Sequence, residues 1–299
     1  MEIKPFPSDL YAVQSQIRHH GHDPAVSLVA ISPRDGEDNL RTEDILAKIE
    51  EEGPTTALVL LSGVQYYTGQ FFDIPAITAA GHKSGCLVGW DLAHAVGNVV
   101  LKLHDWDVDF ACWCTYKYLN SGPGGLAGCF VHDRHGTDTS RNRFAGWWGH
   151  NEGTRFDMTK PFDPVPGARG FQLSNPPVLQ AVSLLASLEI FHEAGGMLPL
   201  RAKSELLTSY LELLLDSQLG EKHLRIITPR DPAQRGCQLS LLFAAPIRPV
   251  FDRLDKEGFV CDMREPNVMR VAPIPLYTRF AEVLKFVVAL KAALEAVAA

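Results

Sequence analysis

Residues 109–125 read DFACWCTYKYLNSGPGG, and the fold turns on them. An apolar run, Phe110 to Cys114, stops abruptly at Thr115-Tyr116-Lys117-Tyr118, and a glycine cluster follows. A short apolar run bounded by turn residues is the pattern of a buried strand. A lysine at the end of such a strand has two readings. It is a side chain that snorkels to the surface, or it is a desolvated amine with a lowered pKa, which is a nucleophile.

The same pattern recurs upstream. Residues 57–61 (ALVLL) and 86–90 (CLVGW) are continuous apolar runs, as in strands covered on both faces. Ser62 and Asp91 stand directly after them, as Lys117 follows the strand expected over 107–114. Residues 128–132 continue the sheet. Between the strands, Thr42 reads as the N-cap of a helix with an acidic first turn that Gly53-Pro54 stops. A second helix starts at Ile74-Pro75 and ends near Gly81. Residues 25–31 (AVSLVAI) also read as a strand. Phe6-Pro7-Ser8-Asp9 reads as a rigid, turn-like segment ahead of a helical pattern (Leu10, Val13, Ile17), so the chain is expected to begin in the middle of a domain. Strands alternating with helices predict an α/β fold, a mostly parallel sheet flanked by helices. In such sheets ligands bind beyond the carboxyl ends of the strands, the position that Ser62, Asp91 and Lys117 share.

Residues 136–170 are irregular and rich in Gly, Trp, Arg and Pro, which for a loop of that length reads as functional. Ser174-Asn175-Pro176-Pro177 opens a long apolar helix over 178–194, and another follows over about 198–218. The remainder reads as a small C-terminal α+β domain. The expected division is a partial large domain over 1–200 and a small domain over 201–299.

Composition narrows the function. The chain has 299 residues, 46% hydrophobic, with a net charge of −7 and no basic run, which gives no reason to bind nucleic acid or an anionic membrane. No stretch approaches the roughly 20 apolar residues of a membrane span, and the start lacks the apolar core of a secretory signal. The six cysteines form no CxxC pair and read as reduced, buried small hydrophobes, which suits a cytoplasmic protein. Cys112 and Cys114 read as strand core. His19-His20-Gly21-His22-Asp23 reads as a solvated loop, so no metal is expected. The cluster from Gly122 to Gly128 lacks the dinucleotide fingerprint, and Ser62-Gly63 is not a nucleophile elbow.

Asp91 and Lys117 fit one chemistry together. A carboxylate at one strand end can hold the protonated ring nitrogen of pyridoxal 5'-phosphate, and an amine at the next can form a Schiff base with its aldehyde. Tyr116 can donate to the phosphate, and His94 can stack on or orient the ring. Taken singly, Asp91 also reads as a helix N-cap for residues 92–95 and His94 as a partly buried helix histidine.

The motifs GWDLAHAVGN (89–98), CWCTYKYLNSGPGG (112–125), GWWGH (146–150), GFQLSNPP (170–177) and NVMRVAPIPLY (267–277) resemble kynureninases, a fold-type I pyridoxal-phosphate family. The resemblance runs across essentially the whole chain in the same order. It implies a fold-type I architecture and assigns roles by position. Lys117 corresponds to the Schiff-base lysine, Asp91 to the partner of the ring nitrogen, and His94 to a cofactor contact. Phe6 corresponds to the aromatic stacked on the ring, and Pro7, Ser8 and Asp9 line it. Ser62 and Tyr116 correspond to hydrogen bonders of the cofactor pocket, Tyr116 also to a proton donor. Trp147 and Asn175 correspond to residues reaching the adjacent subunit's phosphate region, which implies a homodimer with sites at the interface. Asn175 is expected to reach substrate as well. Arg270 corresponds to the clamp on the substrate α-carboxylate, suited to a bidentate fork. The implied reaction is hydrolysis of the amino acids L-kynurenine or 3-hydroxy-L-kynurenine to anthranilate or 3-hydroxyanthranilate plus L-alanine, a step of tryptophan catabolism and NAD biosynthesis. Family members carry a long N-terminal portion before the Phe-Pro-Ser-Asp segment, with a phosphate-binding loop and part of the substrate pocket. The second expectation is therefore an N-terminally truncated, catalytically impaired chain that acts as a dimerisation partner. A third is another fold-type I activity, desulfuration or transamination. The absence of a mobile-loop cysteine motif argues against desulfuration, and Arg270 in VMRVAPIPLY favours the kynureninase reading.

Overall fold

The computed structural model describes residues 1–138, 140–158, 161–220 and 223–298. Helices α1 (Pro7–His19), α2 (Pro24–Ser27) and α3 (Thr42–Glu52) precede strand β1 (Leu58–Ser62). Helix α4 (Ile74–Lys83) leads to β2 (Leu87–Asp91), β3 (Phe110–Cys114), β4 (Ala127–Val131) and the short α5 (Asp133–Gly136). The four strands form one sheet in the order β1-β2-β3-β4. The first three are parallel, with Ser62 beside Asp91 and Asp91 beside Cys112; β4 runs antiparallel to β3. That register sets the three strand ends in one row.

Local chemistry explains these elements. Asp73 caps α4 by accepting the Ala76 N–H at 3.0 Å, and Pro75 occupies its first turn. The helix turns Ile74, Ile77, Thr78 and Gly81 inward. A Cβ on Gly81 would lie 2.4 Å from Val88, so glycine is what lets α4 lie close on β2. Trp90, fully buried, donates its indole N–H to Thr78 at 3.2 Å. Ile45, Leu61, Ile74, Ile77 and Leu92 complete this core, each contributing about 1.5–3 kcal/mol by burial.

The second half is built differently. After α6 (Val178–Glu193) and α7 (Met197–Gln218), strands β5 (Leu224–Ile226), β6 (Leu239–Phe243), β7 (Asp262–Arg264) and β8 (Val268–Val271) form an antiparallel sheet in the order β5-β6-β8-β7, with α8 (Arg248–Lys256) and α9 (Phe280–Ala298). Leu207, Leu211, Leu239, Leu241, Val287 and Leu290 lie in its own core. Backbone bonds tie the halves together: Phe71 donates to the Gln234 carbonyl at 2.8 Å, and Cys237 to Asn98 Oδ1 at 2.9 Å.

Four expectations are corrected. Residues 25–31 do not form a strand. Asp23 caps the Ala25 N–H at 2.9 Å with Pro24 at the first helical position, which makes α2, and only an isolated bridge from Ile31 to Glu2 remains. Phe6-Pro7-Ser8-Asp9 is the start of α1, with Phe6 at the cap and proline in the first turn. Thr42 is the first residue of α3, and Arg41 is its cap. Of the cysteines, Cys86 and Cys237 are buried, but Cys112 and Cys129 face each other across β3 and β4 on an exposed face; the strand alternation turns Ala111 to the core instead. All six are free thiols.

Candidate active site

Lys117 lies in the turn after β3. The Thr115 hydroxyl, fully buried, hydrogen-bonds Ser121 at 2.7 Å and the Leu126 carbonyl, and Asn120 N–H donates to the Lys117 carbonyl at 3.0 Å. The neighbouring turn must pass close by. Gly97 has φ +81°, and a Cβ there would lie 2.8 Å from the Tyr118 carbonyl carbon. The local sequence therefore holds the lysine through a stitched, rigid turn.

Around it the long-range folding gathers charge. The Lys117 ammonium lies 5.5 Å from the Phe6 ring centroid and 5.9 Å from that of Tyr116. Asp91, last residue of β2, accepts the Ala93 N–H at 2.8 Å in an Asx turn; residues 93–98 are turn rather than the helix expected there, so Asp91 caps no helix and His94 is not a helix histidine. The Asp9 and Asp91 carboxyls share a hydrogen bond. Burial, the Asp91 charge and that bond push the Asp9 carboxyl up to about 7; Glu2 adds to the rise and Lys117 opposes it. Asp9 thus couples both expected partners into one pocket. His94 is half-buried. Burial first, then the charges of Lys117, Arg270 and Arg264, push its imidazole down to about 3, so the ring is neutral. Its Nδ1 is buried with no hydrogen-bond partner, and its ring meets Tyr118 edge-on at 5.8 Å.

Ser62 sits in the same row, but its hydroxyl donates to the Glu2 carboxylate rather than standing free. Glu2 is only 2% exposed, and burial raises its pKa. Tyr116 is half exposed; the neighbouring Cys114 and burial raise its phenol. Arg270 leaves β8 toward this pocket. It donates to the Tyr66 carbonyl at 2.7 Å, lies 6.0 Å from the Tyr66 ring, and is ion-paired with Asp262. Its Nε is buried without a partner. Tyr66 in turn packs edge-on against Phe6 at 5.3 Å. Phe6, Asp9, Asp91, His94, Tyr116, Lys117 and Arg270 therefore surround one place, with Pro7 and Ser8 in the first turn of α1 beside them.

Trp147 and Asn175 are not brought there. Both are exposed, on the segment between β4 and α6, and Trp147 packs with Trp148, Phe156 and Arg155 instead. Sequence reading missed Glu2, Tyr66 and Asp262. Tyr66 had a signal, an aromatic pair in the loop after a strand end. Glu2 and Asp262 had none, because only their tertiary partners mark them.

The residues fit a flat, cationic heterocycle with an aldehyde. Two carboxyls sharing one proton form an acceptor for a charged ring N–H, Phe6 offers an aromatic face, Lys117 supplies an amine, and His94 Nδ1 lacks a partner. Among the described residues no group of His, Cys, Asp and Glu could hold a metal ion.

Comparison with known proteins agrees with this arrangement. Residues 22–244 match the family model "Aminotransferase class-V", and residues 200–290 match "Kynureninase C-terminal domain". The chain is 57% identical to the kynureninase of Nematostella vectensis over 99% of its own length and 66% of that protein's. It is 56% identical to that of Koribacter versatilis, covering 96% of this chain and 67% of the relative. It thus spans about two thirds of the length of these relatives. A solved C-DES variant with glycine covalently linked to its PLP cofactor superposes with a TM-score of 0.81 at 18% identity, over 97% of this chain and 73% of that one, a likeness of fold-type I architecture. On the span of the family models and on these identities, the chain belongs to the kynureninase family, within the class-V aminotransferases.

Proposed function

We propose that the chain serves the hydrolysis of L-kynurenine or 3-hydroxy-L-kynurenine to anthranilate or 3-hydroxyanthranilate and L-alanine, with pyridoxal 5'-phosphate as cofactor. One observation carries the reading: Phe6, the Asp9–Asp91 carboxyl pair, Lys117 and Arg270 meet at the carboxyl ends of parallel strands in a member of this family. When bound, the cofactor supplies an electron sink that lets the amino acid's Cα give up its proton.

The chain's own groups then divide the work. Lys117 would hold the cofactor through its aldehyde, and its amine is placed to take and return the Cα proton. Asp91, with Asp9 sharing its hydrogen bond, holds the ring nitrogen in its protonated state. Phe6 would cover one face of the ring, and neutral His94 would offer Nδ1 as a polar contact. Arg270 binds the α-carboxylate, with the substrate taking the place that Asp262 holds here. Tyr116, half exposed beside Lys117, would donate a proton to Cβ when water adds at the γ-carbonyl carbon and the Cβ–Cγ bond breaks. Ser62, held by Glu2, braces the strand-end row.

Trp147 and Asn175 work from the neighbouring copy in a homodimer. The exposed apolar residues Val178, Leu179, Val182 and Leu185 of α6 support this, because a helix apolar on all sides is normally covered. The two larger of three cores, one in each half, support a division into residues 1–200 and 201–299. Six free thiols support a cytoplasmic location; among the described residues no helix is long and apolar enough to cross a membrane. The test mixes purified protein, pyridoxal phosphate and 3-hydroxy-L-kynurenine or L-kynurenine and follows the fluorescence of the anthranilate product. Turnover that Lys117→Ala abolishes is the expected result. No turnover, or turnover of cysteine or alanine instead, overturns the reading.

A further inference from the structure

We propose that Arg155 is the positioning residue for Trp147, fixing the place and plane of its indole; this deepens the functional reading above and rests on it. Trp147 begins a 3-10 turn, Trp147–Gly149, in a segment with little regular structure, and its side chain is 41% exposed. Burial alone does not hold so open a ring. Its indole N–H donates to the Arg155 carbonyl at 2.9 Å, and its ring meets Trp148 edge-on at 5.8 Å.

Arg155 is by contrast 8% exposed. Its guanidinium lies 4.5 Å from the Trp148 ring centroid and 5.9 Å from that of Trp147. Nη2 donates to the Trp148 carbonyl at 2.7 Å and to the His150 carbonyl at 3.1 Å. Nε is buried with no hydrogen bond, so the stack and the two carbonyls set where the group lies. One residue therefore grips the indole through its carbonyl and the turn through its side chain. A lysine keeps the backbone carbonyl but lacks the planar group that stacks on Trp148 while donating to two carbonyls.

Two further features make Arg155 the element that decides the indole's place. The far end of the turn is anchored separately: His150 Nδ1 accepts the Asp163 N–H at 2.9 Å, and Nε2 meets the Thr154 hydroxyl at 3.0 Å. Loss of the guanidinium thus releases the Trp148 end of the turn while the His150 end stays anchored, and the indole keeps only its bond to the backbone carbonyl of residue 155. A cavity of about 410 Å³ lies elsewhere on the chain, but one of about 270 Å³ adjoins this ring, lined by Trp147, His150, Thr154, Arg155, Met158 and Phe162. That space takes the indole when the guanidinium no longer fixes the Trp148 end of the turn.

The experiment compares Arg155→Met and Arg155→Lys with the unmodified protein, each also in a Trp147→Phe background. Near-ultraviolet circular dichroism reads the Trp147–Trp148 pair without cofactor or turnover, and steady-state kinetics with kynurenine read the site. Arg155→Met is expected to lose the tryptophan signal with the far-ultraviolet spectrum unchanged. KM should rise about tenfold with kcat within about twofold, as for a misplaced binding surface. In the Trp147→Phe background the same change should add nothing to KM. An unchanged near-ultraviolet spectrum, or effects on KM that multiply with Trp147→Phe, overturns the proposal. If Arg155→Met does not fold, Arg155→Lys decides by the same spectrum and the same cycle. If the unmodified protein ignores kynurenine, the functional reading fails, while the dichroism still decides the role of Arg155.

Discussion

The strand-end pocket and the segment between β4 and α6 carry the same sort of side chains and treat them in opposite ways. In the pocket, an aromatic ring, a lysine, two carboxylic acids and an arginine face one another, with buried Glu2 and half-buried His94 beside them. On the segment, Trp147, Phe156, Met158 and Phe162 point outward, and α6 adds Val178, Leu179 and Val182 to the same exposed character. The pocket is finished by contacts within the chain. The segment leaves its aromatics exposed. A residue that looks functional in sequence can therefore lie in the pocket or well outside it, and only packing distinguishes the two.

The largest test of this contrast lies inside the pocket. Asp91→Asn should lower kcat by about 10²- to 10³-fold, the scale of removing one preorganised electrostatic partner, and weaken cofactor absorbance. A loss below about threefold would mean that Asp9 alone serves the ring nitrogen. Next comes the outward half. Chains with Lys117→Ala mixed with chains carrying Trp147→Ala should regain roughly a quarter of full activity, because half of randomly formed dimers then hold one site intact from both sides. No recovery would place Trp147's role within its own chain.

Smaller effects should appear in stability against pH. The Asp9 carboxyl titrates at about 7 when folded, against 3.8 for the ordinary group. Below 3.8 both states keep the proton. Between the two values the unfolded chain releases a proton that the folded chain retains, so stability falls as pH rises and the loss is complete above about 7. His94 works the other way, near 3 when folded against 6.5. Its contribution is full above 6.5 and disappears as pH falls toward 3. Asp9→Asn should therefore raise the Tm by a few degrees at neutral pH and little in acid, while His94→Asn should flatten the acid limb. Thermal scans across that range decide the signs. Smallest of all, Asp262→Asn removes the carboxylate paired with Arg270 and should lower KM about threefold, the scale of a partly exposed ion pair; an increase would show that Asp262 aims the guanidinium rather than competing for it.

The sequence by itself determined the parallel strands, because continuous apolar runs ending at Ser62, Asp91 and Lys117 have few other physical solutions. It also marked the helix over 74–83, where an aspartate cap and a proline in the first turn act locally, and it carried the family through motifs kept in order. It misread residues 25–31, where a local Asp-Pro start outcompetes an apolar run that finds only one bridging partner. It also misread Cys112, because alternation along a strand leaves open which face the core will cover. Tertiary structure alone decided that Asp9, from the first turn of α1, shares a hydrogen bond with Asp91, that Glu2 holds Ser62, and that Arg270 reaches Tyr66 across 204 positions of chain. The physical reason is common to all three. Desolvation and charge coupling depend on which groups share a buried space, and that is set by packing between distant segments rather than by the residues next to each group.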